Sequence, residues 1–480
     1  QTDDCVAIGD SVMTGALSNV DGTVAIGKSA LAALVDGKRN VVIGFNAAKE
    51  ATIADANIAI GYQAMLETST FQSDNNIAIG SSNPDGTKAA MGGDWVTAAS
   101  SYNVAIGTGS MAGDMNGASQ NTAVGNTALA RITTGDSNVG LGSSAGAALL
   151  GGAENIAIGI DAMVAMAGDA DTDTVNNGHR NIAIGAAAMG AVNAGSHNTA
   201  TTNDNIAIGN DALKGQSFAG SNLNLVGNIA IGSQALDDTA ANAKTGIIAI
   251  GFEALTDVTT GTGNTGVGYQ VLKGMIGGSN NTALGYAAYA TDTDGTSTVA
   301  IGTNALTSLT GSTNNVAIGA SAMSAMNGTA DNLANCVAIG ANAFTGHADN
   351  TTNVASGTVA IGSSALTALT SGAGNVAVGY QALDAQTTGN SNTVIGHQAL
   401  SAADAGEGAN VVIGYQAGLS INDSSSDYNI IIGTEAGTGG AAAMSGCIVI
   451  GDSAMNSTAG NAQTGTIAIG RNALTALTTG

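Results

Sequence analysis

Apolar residues recur along this chain at alternate positions in short runs, and each run ends at a glycine. The unit is seen in Asn57-Ile58-Ala59-Ile60-Gly61-Tyr62-Gln63-Ala64-Met65, and it recurs 25 times between Gly9 and Gly470. The spacing between successive anchor glycines is 17 residues in ten cases and is never shorter. Self-similarity at a near-constant period is the signature of a repeat architecture. The spacing therefore predicts a stack of about 25 coils, each of 17 or more residues.

The alternation inside each unit has a period of two, which indicates a strand and not a helix. The residue before the anchor glycine is Ile in 20 repeats, and two residues earlier it is Val, Ile or Thr. Because β-branched residues on alternate positions are typical of a buried strand face, we predict an isoleucine core ladder. Its representative members are Ile8, Ile60, Ile158, Ile208, Ile318 and Ile469.

A second apolar pair, usually Ala then Leu or Met, follows three to four residues after the glycine. We expect it to form a second short strand whose Leu or Met faces the isoleucines. Seven of the 13 Met residues occupy the Leu position, which indicates core filling and not a metal or lipid site. Stacking such coils at strand spacing predicts an all-β, parallel β-solenoid roughly 115 Å long.

The residue between the two β-branched positions is Ala in 18 of 25 repeats and is never charged. An exposed strand face would collect polar residues, so this alanine stripe predicts close burial against a second copy of the chain. Ala59, Ala183 and Ala317 represent the predicted subunit interface. The alternative is an exposed sheet that tolerates small residues.

One position, four residues before the glycine, carries a polar column. Asn occupies it in 17 repeats, and all three cysteines, Cys5, Cys336 and Cys447, lie in the same position. Stacked Asn side chains can bond to one another and to turn backbone, which predicts a ladder along the stack. Cysteines many coils apart can form neither an intrachain disulfide nor a metal cluster.

Composition agrees with a thin, regular fold. The 480 residues include 71 Gly, one Pro and 3% aromatics, and a large globular core would need more aromatic residues. The net charge of −24 argues against nucleic acid and anionic membranes as partners. The longest nearly unbroken apolar run is too short to span a bilayer. We treat residues 1–480 as one continuous repeat array, either a processed chain or a piece of a longer one.

Long spacings place loop insertions at about 84–102, 164–180, 190–204, 214–227, 324–335 and 345–357. The first insertion contains Pro84 and Trp95, the only Pro and Trp. Solenoid insertions often bind partners, so this loop is a candidate receptor contact, although a local packing role for the Trp is the alternative.

We expect no resident cofactor, although two acidic loops leave weak calcium binding open. Asp169, Asp171 and Asp173 have the spacing that opens a calcium loop, but the closing Gly and Glu are missing. Asp292 and Asp294 make a weaker case.

Two sequence segments match a catalytic motif and a nucleotide-binding motif but lack the structural setting that each motif requires. Gly142-Ser143-Ser144-Ala145-Gly146 has the form of a nucleophile elbow, but Gly142 is a repeat anchor. The glycines 261, 263 and 266 match a dinucleotide fingerprint but precede a repeat strand instead of joining a strand to a helix. We therefore predict no enzymatic activity.

The repeat Asn-Ile-Ala-Ile-Gly-x-x-Ala-Leu resembles the head repeats of trimeric autotransporter adhesins (YadA-like). It is still more similar to the repeat arrays of tail-fibre and other fibrous proteins of phages, especially those of marine cyanobacterial viruses. The resemblance covers essentially the whole chain. It implies a left-handed parallel β-roll, three parallel chains around a common axis in an elongated fibre, and a role in attachment.

Three functions remain as hypotheses. The first is a trimeric phage tail or virion fibre that binds a host-surface glycan or protein receptor, anchored by other virion proteins. The second is a bacterial trimeric surface adhesin or extracellular filament. The third is a polysaccharide-degrading tailspike, which would need converging carboxylates. An ice-binding solenoid would require a Thr-x-Thr stripe, which no repeat position shows.

Overall fold

The computed structural model describes residues 2–66, 72–83, 87–93, 98–165, 178–192, 201–215, 224–237, 244–309, 311–325, 333–346, 355–404, 406–440, 442–458 and 460–477. Over these ranges the chain is all-β and contains no helix. Accordingly, no helix in the described part is long and apolar enough to cross a membrane. The predicted insertion residues Pro84 and Trp95, and the three Asp residues 169, 171 and 173, lie outside the described residues.

The chain forms two compact units, Gln1–Ile247 and Ile248–Gly480. In the first unit, the described repeats each contribute one three-residue strand that ends just before the anchor glycine. These strands are Val6–Ile8, Val24–Ile26, Val41–Ile43, Ile58–Ile60, Ile77–Ile79, Val104–Ile106, Thr122–Val124, Val139–Leu141, Ile156–Ile158, Ile182–Ile184, Ile206–Ile208 and Ile229–Ile231.

The second unit repeats the same element. Its strands are Ile248–Ile250, Thr265–Val267, Thr282–Leu284, Val299–Ile301, Val316–Ile318, Val337–Ile339, Val359–Ile361, Val376–Val378, Thr393–Ile395, Val411–Ile413, Ile430–Ile432, Ile448–Ile450 and Ile467–Ile469.

Within each unit, successive strands pair in parallel with no shift in register. Ile156 pairs with Ile182 and Ala157 with Ala183, for example, across the 26 residues that separate their anchor glycines. Because the longer spacing leaves the pairing unchanged, extra residues are accommodated between the strands. The predicted parallel β-solenoid of fixed coils is therefore confirmed.

The second strand predicted for every coil is wrong. The Ala-Leu or Ala-Met pair lies in a run of turns, in which Gln63 and Met65 have φ of 62° and 51°. Left-handed backbone costs a non-glycine residue roughly 1–2 kcal/mol, and here hydrogen bonds between coils offset it. The Met65 amide donates to the carbonyl of Ala90 in the next coil, and the Gln63 amide to Phe45 in the previous one.

Short additional strands occur beside some coils only. They are Thr2–Asp3, Asn19–Asp21, Asp36–Lys38, Thr202–Asn203, Leu225–Val226 and Lys244–Thr245 in the first unit, and Met444–Ser445 and Gln463–Thr464 in the second.

The anchor glycine makes the corner that follows each strand, and Gly61 shows why no other residue occupies it. Its φ is +136°, a conformation that L residues rarely adopt. A Cβ there would lie 2.5 Å from the carbonyl oxygen of Gly80, the anchor of the next coil. The position therefore requires glycine for both conformation and space.

The predicted asparagine ladder is confirmed. Nδ2 of Asn138 donates to Oδ1 of Asn121 at 3.0 Å and to the carbonyl oxygen of Gly152 at 2.7 Å. Oδ1 of Asn138 accepts from the backbone amide and Nδ2 of Asn155 at 3.0 and 3.1 Å. Each such side chain joins the coils on both sides of it, which satisfies buried backbone groups that the turns would otherwise leave unpaired.

A second polar column, six residues before the glycine, was not predicted. Oδ1 of Asp55 accepts from the Lys38 amide at 2.7 Å, and Oδ1 of Asp136 accepts from the Ser119 amide at 2.7 Å. Part of the chain's acidic excess thus caps backbone amides of the preceding coil.

Candidate interaction surface

The orientation predicted for the strands is wrong, because alanine and isoleucine have exchanged places. Ala59, Ala183 and Ala317 are completely buried inside their own chain and so cannot form a subunit interface. The isoleucines point outward: Ile208 is 36% exposed and Ile469 64%. The other members of the predicted core ladder, Ile8, Ile60, Ile158 and Ile318, are exposed or half-buried.

The physical reason is the narrow coil interior. In most coils a Leu or Met four residues after the glycine already fills much of the space opposite the strand, and the inward residue is Ala or Gly in 20 of 25 repeats. At Gly266, where even a methyl is missing, an added Cβ would lie 2.4 Å from Cδ1 of Leu255. The predicted role of the methionines is confirmed, since Met65 and Met189, for instance, are buried in this position.

Two coils show volume compensation across the interior. Their inward strand residues, Ile431 and Val412, are large, and the position opposite is a glycine, Gly437 or Gly418. A Cβ at Gly437 would lie 3.1 Å from Cγ2 of Ile431. The pairing is not general, because Val394 and Val449 are also buried although Leu400 and Met455 occupy the position opposite.

The outward-facing strand residues form an apolar surface in each unit, which we call the outward face. It consists of the residues three and one before each anchor glycine, which are Val, Ile, Leu or Thr in every repeat. These residues are half-buried or exposed, as in Val316 and Ile318 or in Ile339. A surface of this kind without charged residues is typical of an interaction site.

The residue after the anchor glycine follows the corner and is exposed wherever it is aromatic. Half of the chain's 14 Phe, Trp and Tyr residues occupy this position. Phe45 stacks on Tyr62 with ring centroids 5.5 Å apart. The second unit has two three-ring ladders, each spanning three consecutive coils. Their members are Phe252, Tyr269 and Tyr286, and Tyr380, His397 and Tyr415.

The three cysteines form no disulfide and lie in the asparagine column. The amides of Cys336 and Cys447 donate to Oδ1 of Asn315 and Asn429, each at 2.9 Å, as an Asn amide would. The Cys336 thiol also donates to the carbonyl of Ala355 at 3.4 Å, and burial raises its pKa to about 11. These thiols are structural substitutes for Asn and are not poised as nucleophiles.

The carboxylate of Asp292 is buried and holds a turn together. It accepts hydrogen bonds from the amides of Asp294, Gly295, Gly311 and Ser312, at 2.8 to 3.1 Å, and from Oγ of Ser312 at 2.7 Å. Both of its oxygens therefore face protein donors, unlike the open carboxylates of a calcium loop.

The two motif-like strings lie within ordinary coils. Ser144 is the left-handed residue two positions after the anchor Gly142, and its hydroxyl lies 3.3 Å from Oγ1 of Thr127. Gly266 is the inward residue of the strand Thr265–Val267. Among the described residues, no group of three or more His, Cys, Asp and Glu side chains could hold a metal ion.

Comparison of the chain with protein-family models, curated proteins and solved structures found no match.

Proposed function

We propose that this chain is a structural fibre protein that assembles as a parallel homotrimer through the outward face. In this role the stacked coils supply reach and stiffness, and the loops contact a host-surface glycan or protein receptor. The sequence resemblance to phage fibre repeats favours a phage tail or virion fibre, which carries out no catalysis. A bacterial trimeric adhesin would use the same surface with a different anchor.

The observation that carries the proposal is the uncovered apolar outward face. Complete burial of an isoleucine or valine side chain contributes about 1.5–3 kcal/mol, and the outward residues are already half-buried by their own chain. Covering the remainder contributes about 0.5–1 kcal/mol per residue. For the twelve strands of the first unit, with two outward residues each, the sum is on the order of 10–20 kcal/mol per chain.

That sum is comparable to or larger than the roughly 4–15 kcal/mol lost when chains associate. The contrast between an uncharged outward face and an acidic remaining surface also favours a specific interface over random aggregation. The outward face carries no charge, whereas the chain as a whole has a net charge of −24, so the remaining surface repels other copies.

The experiment is multi-angle light scattering on the wild type and on the variant Val316→Asp/Ile318→Asp. The matched control is Asn314→Asp/Asn342→Asp, which adds the same charge at two exposed residues outside the outward face. We expect three times the 46.1 kDa chain mass for the wild type and the control, and a smaller mass for the outward-face variant. A monomeric wild type, or a face variant that stays trimeric, would overturn the proposal.

A further inference from the structure

The outward face is nearly the same in every coil, so it cannot by itself align two copies along their length. In the second unit its residues are Val, Ile, Leu or Thr from Ile248 to Ile469. A shift of one coil would again place apolar residues against apolar residues. Repetitive surfaces of this kind leave the register of pairing weakly specified.

The position after the anchor glycine is different, because its residues change in blocks along the second unit. Two aromatic blocks are separated by four small residues and followed by three polar ones. In chain order the residues are Phe252, Tyr269, Tyr286, Thr303, Ala320, Ala341, Ser363, Tyr380, His397, Tyr415, Thr434, Asp452 and Arg471.

Each aromatic block is a rigid ridge next to the outward face. Ring centroids in the first block are 5.3 and 5.2 Å apart, with interplanar angles of 16° and 3°. In the second block His397 lies between Tyr380 and Tyr415 at 5.1 and 5.4 Å. Stacking keeps the rings in place, yet Tyr286 is still 53% exposed. The small residues between the blocks leave a recess of four coils.

The coil itself does not require these rings. Thr, Ala and Ser occupy the same position in the intervening coils, where the strands pair in the same parallel register. Intrachain stacking stabilises the ladders but does not explain why blocks of rings alternate with blocks of small residues in an exposed column that begins two positions after the outward strand residues.

We propose that the two aromatic ladders set the axial register in which copies of the chain pack through their outward faces. When copies are in register, ridges lie at the same heights in every copy and the recesses also coincide. A shift of one coil places the end rings of each ladder opposite small residues, which replaces contacts between rings with gaps at both ends of the ladder. This inference rests on the proposed self-association.

The test measures the distance between identical spin labels in the assembled full-length chain, by pulsed dipolar spectroscopy. The label is attached at Thr434→Cys, an exposed residue of the same column, in a Cys5→Ser background. Cys336 and Cys447 are buried and remain unlabelled.

Two variants remove the block pattern in opposite ways. The first replaces the six ladder residues with Ser, which occurs naturally in this column. The second fills the recess with Tyr at Thr303, Ala320, Ala341 and Ser363, which increases aromatic area instead of removing it. The control is Tyr428→Ser, which removes an exposed Tyr outside the column.

We expect one narrow label distance for the wild type and the control. We expect a broader distribution that extends to longer distances for the recess-filled variant, because each coil of shift adds about 4.8 Å of axial separation to the lateral one, and the same for the serine variant if it still associates. Variants that associate and keep the single distance would overturn the register inference and leave the trimer proposal intact. A monomeric wild type would overturn both. Because the recess-filled variant gains apolar area, it decides the question even if the serine variant no longer associates.

Discussion

The asparagine ladder allows a stability prediction that can be worked out group by group, and Asn138→Ala is the perturbation. Asn138 is fully buried. Its side chain makes four hydrogen bonds, two with Asn155, one with Asn121 and one with the carbonyl of Gly152. Truncation to Ala removes all four.

The magnitude follows from the groups that lose a partner. The carbonyl of Gly152 and the amide of Asn155 each lose their hydrogen-bond partner. Nδ2 of Asn155 keeps the carbonyl of Gly178, and Oδ1 of Asn121 keeps the amide of residue 138. A buried polar group left unsatisfied costs about 1–3 kcal/mol. Two such groups, with some relaxation, predict about 2–4 kcal/mol of local destabilisation.

Hydrogen exchange followed by mass spectrometry is the suitable assay, because coils of a repeat protein open locally and a single melting point averages over them. The expected result is faster exchange by roughly one and a half to three orders of magnitude in the coils that contain residues 121–155. Coils far from this segment should keep wild-type protection.

The matched control is Asn126→Ala, an exposed Asn in the same segment. It should change exchange by less than about threefold, as surface substitutions usually do. If Asn138→Ala exchanged like Asn126→Ala, the ladder would contribute little to stability and the reasoning from unsatisfied groups would be refuted.

Three further predictions follow from other positions. Gly61→Ala should lower the free energy of unfolding by at least about 2 kcal/mol more than Gly446→Ala does, as measured by chemical denaturation. Both glycines have an unfavourable φ, but only Gly61 would also bring its new Cβ against backbone. Equal effects would contradict the requirement for glycine at the corner. Cys336 should react with thiol reagents at pH 8.5 roughly a hundredfold more slowly than a free cysteine, because burial raises its pKa to about 11. Rapid labelling of Cys336, mapped by mass spectrometry, would contradict this prediction. The salt bridge to Arg180 lowers the pKa of Asp204. The wild type should therefore be more stable than Asp204→Asn at neutral pH. That difference should fade as the pH falls below the ordinary carboxyl pKa of about 3.9; a difference that persists in strong acid would be inconsistent with the pairing.

The sequence by itself determined the features that depend on the repeat. Regular glycine spacing and strict alternation located the strand that precedes each anchor glycine. A shared position located the Asn ladder that the hydrogen bonds of Asn121, Asn138 and Asn155 display. Strands of neighbouring coils pair in one register because their pattern is identical, so the stacking follows from periodicity alone.

Only the tertiary structure decided which side of the strand faces inward. A period of two defines two faces but does not say which is buried, and the expectation that the larger residue is inside placed Ile60 in the core and Ala59 outside. The coil instead encloses a space that Met65 already fills, so the methyl of Ala59 is accommodated there and Ile60 points outward. The turn run around Gln63 has the same origin, because its left-handed residues are held by hydrogen bonds from coils that are distant in the sequence.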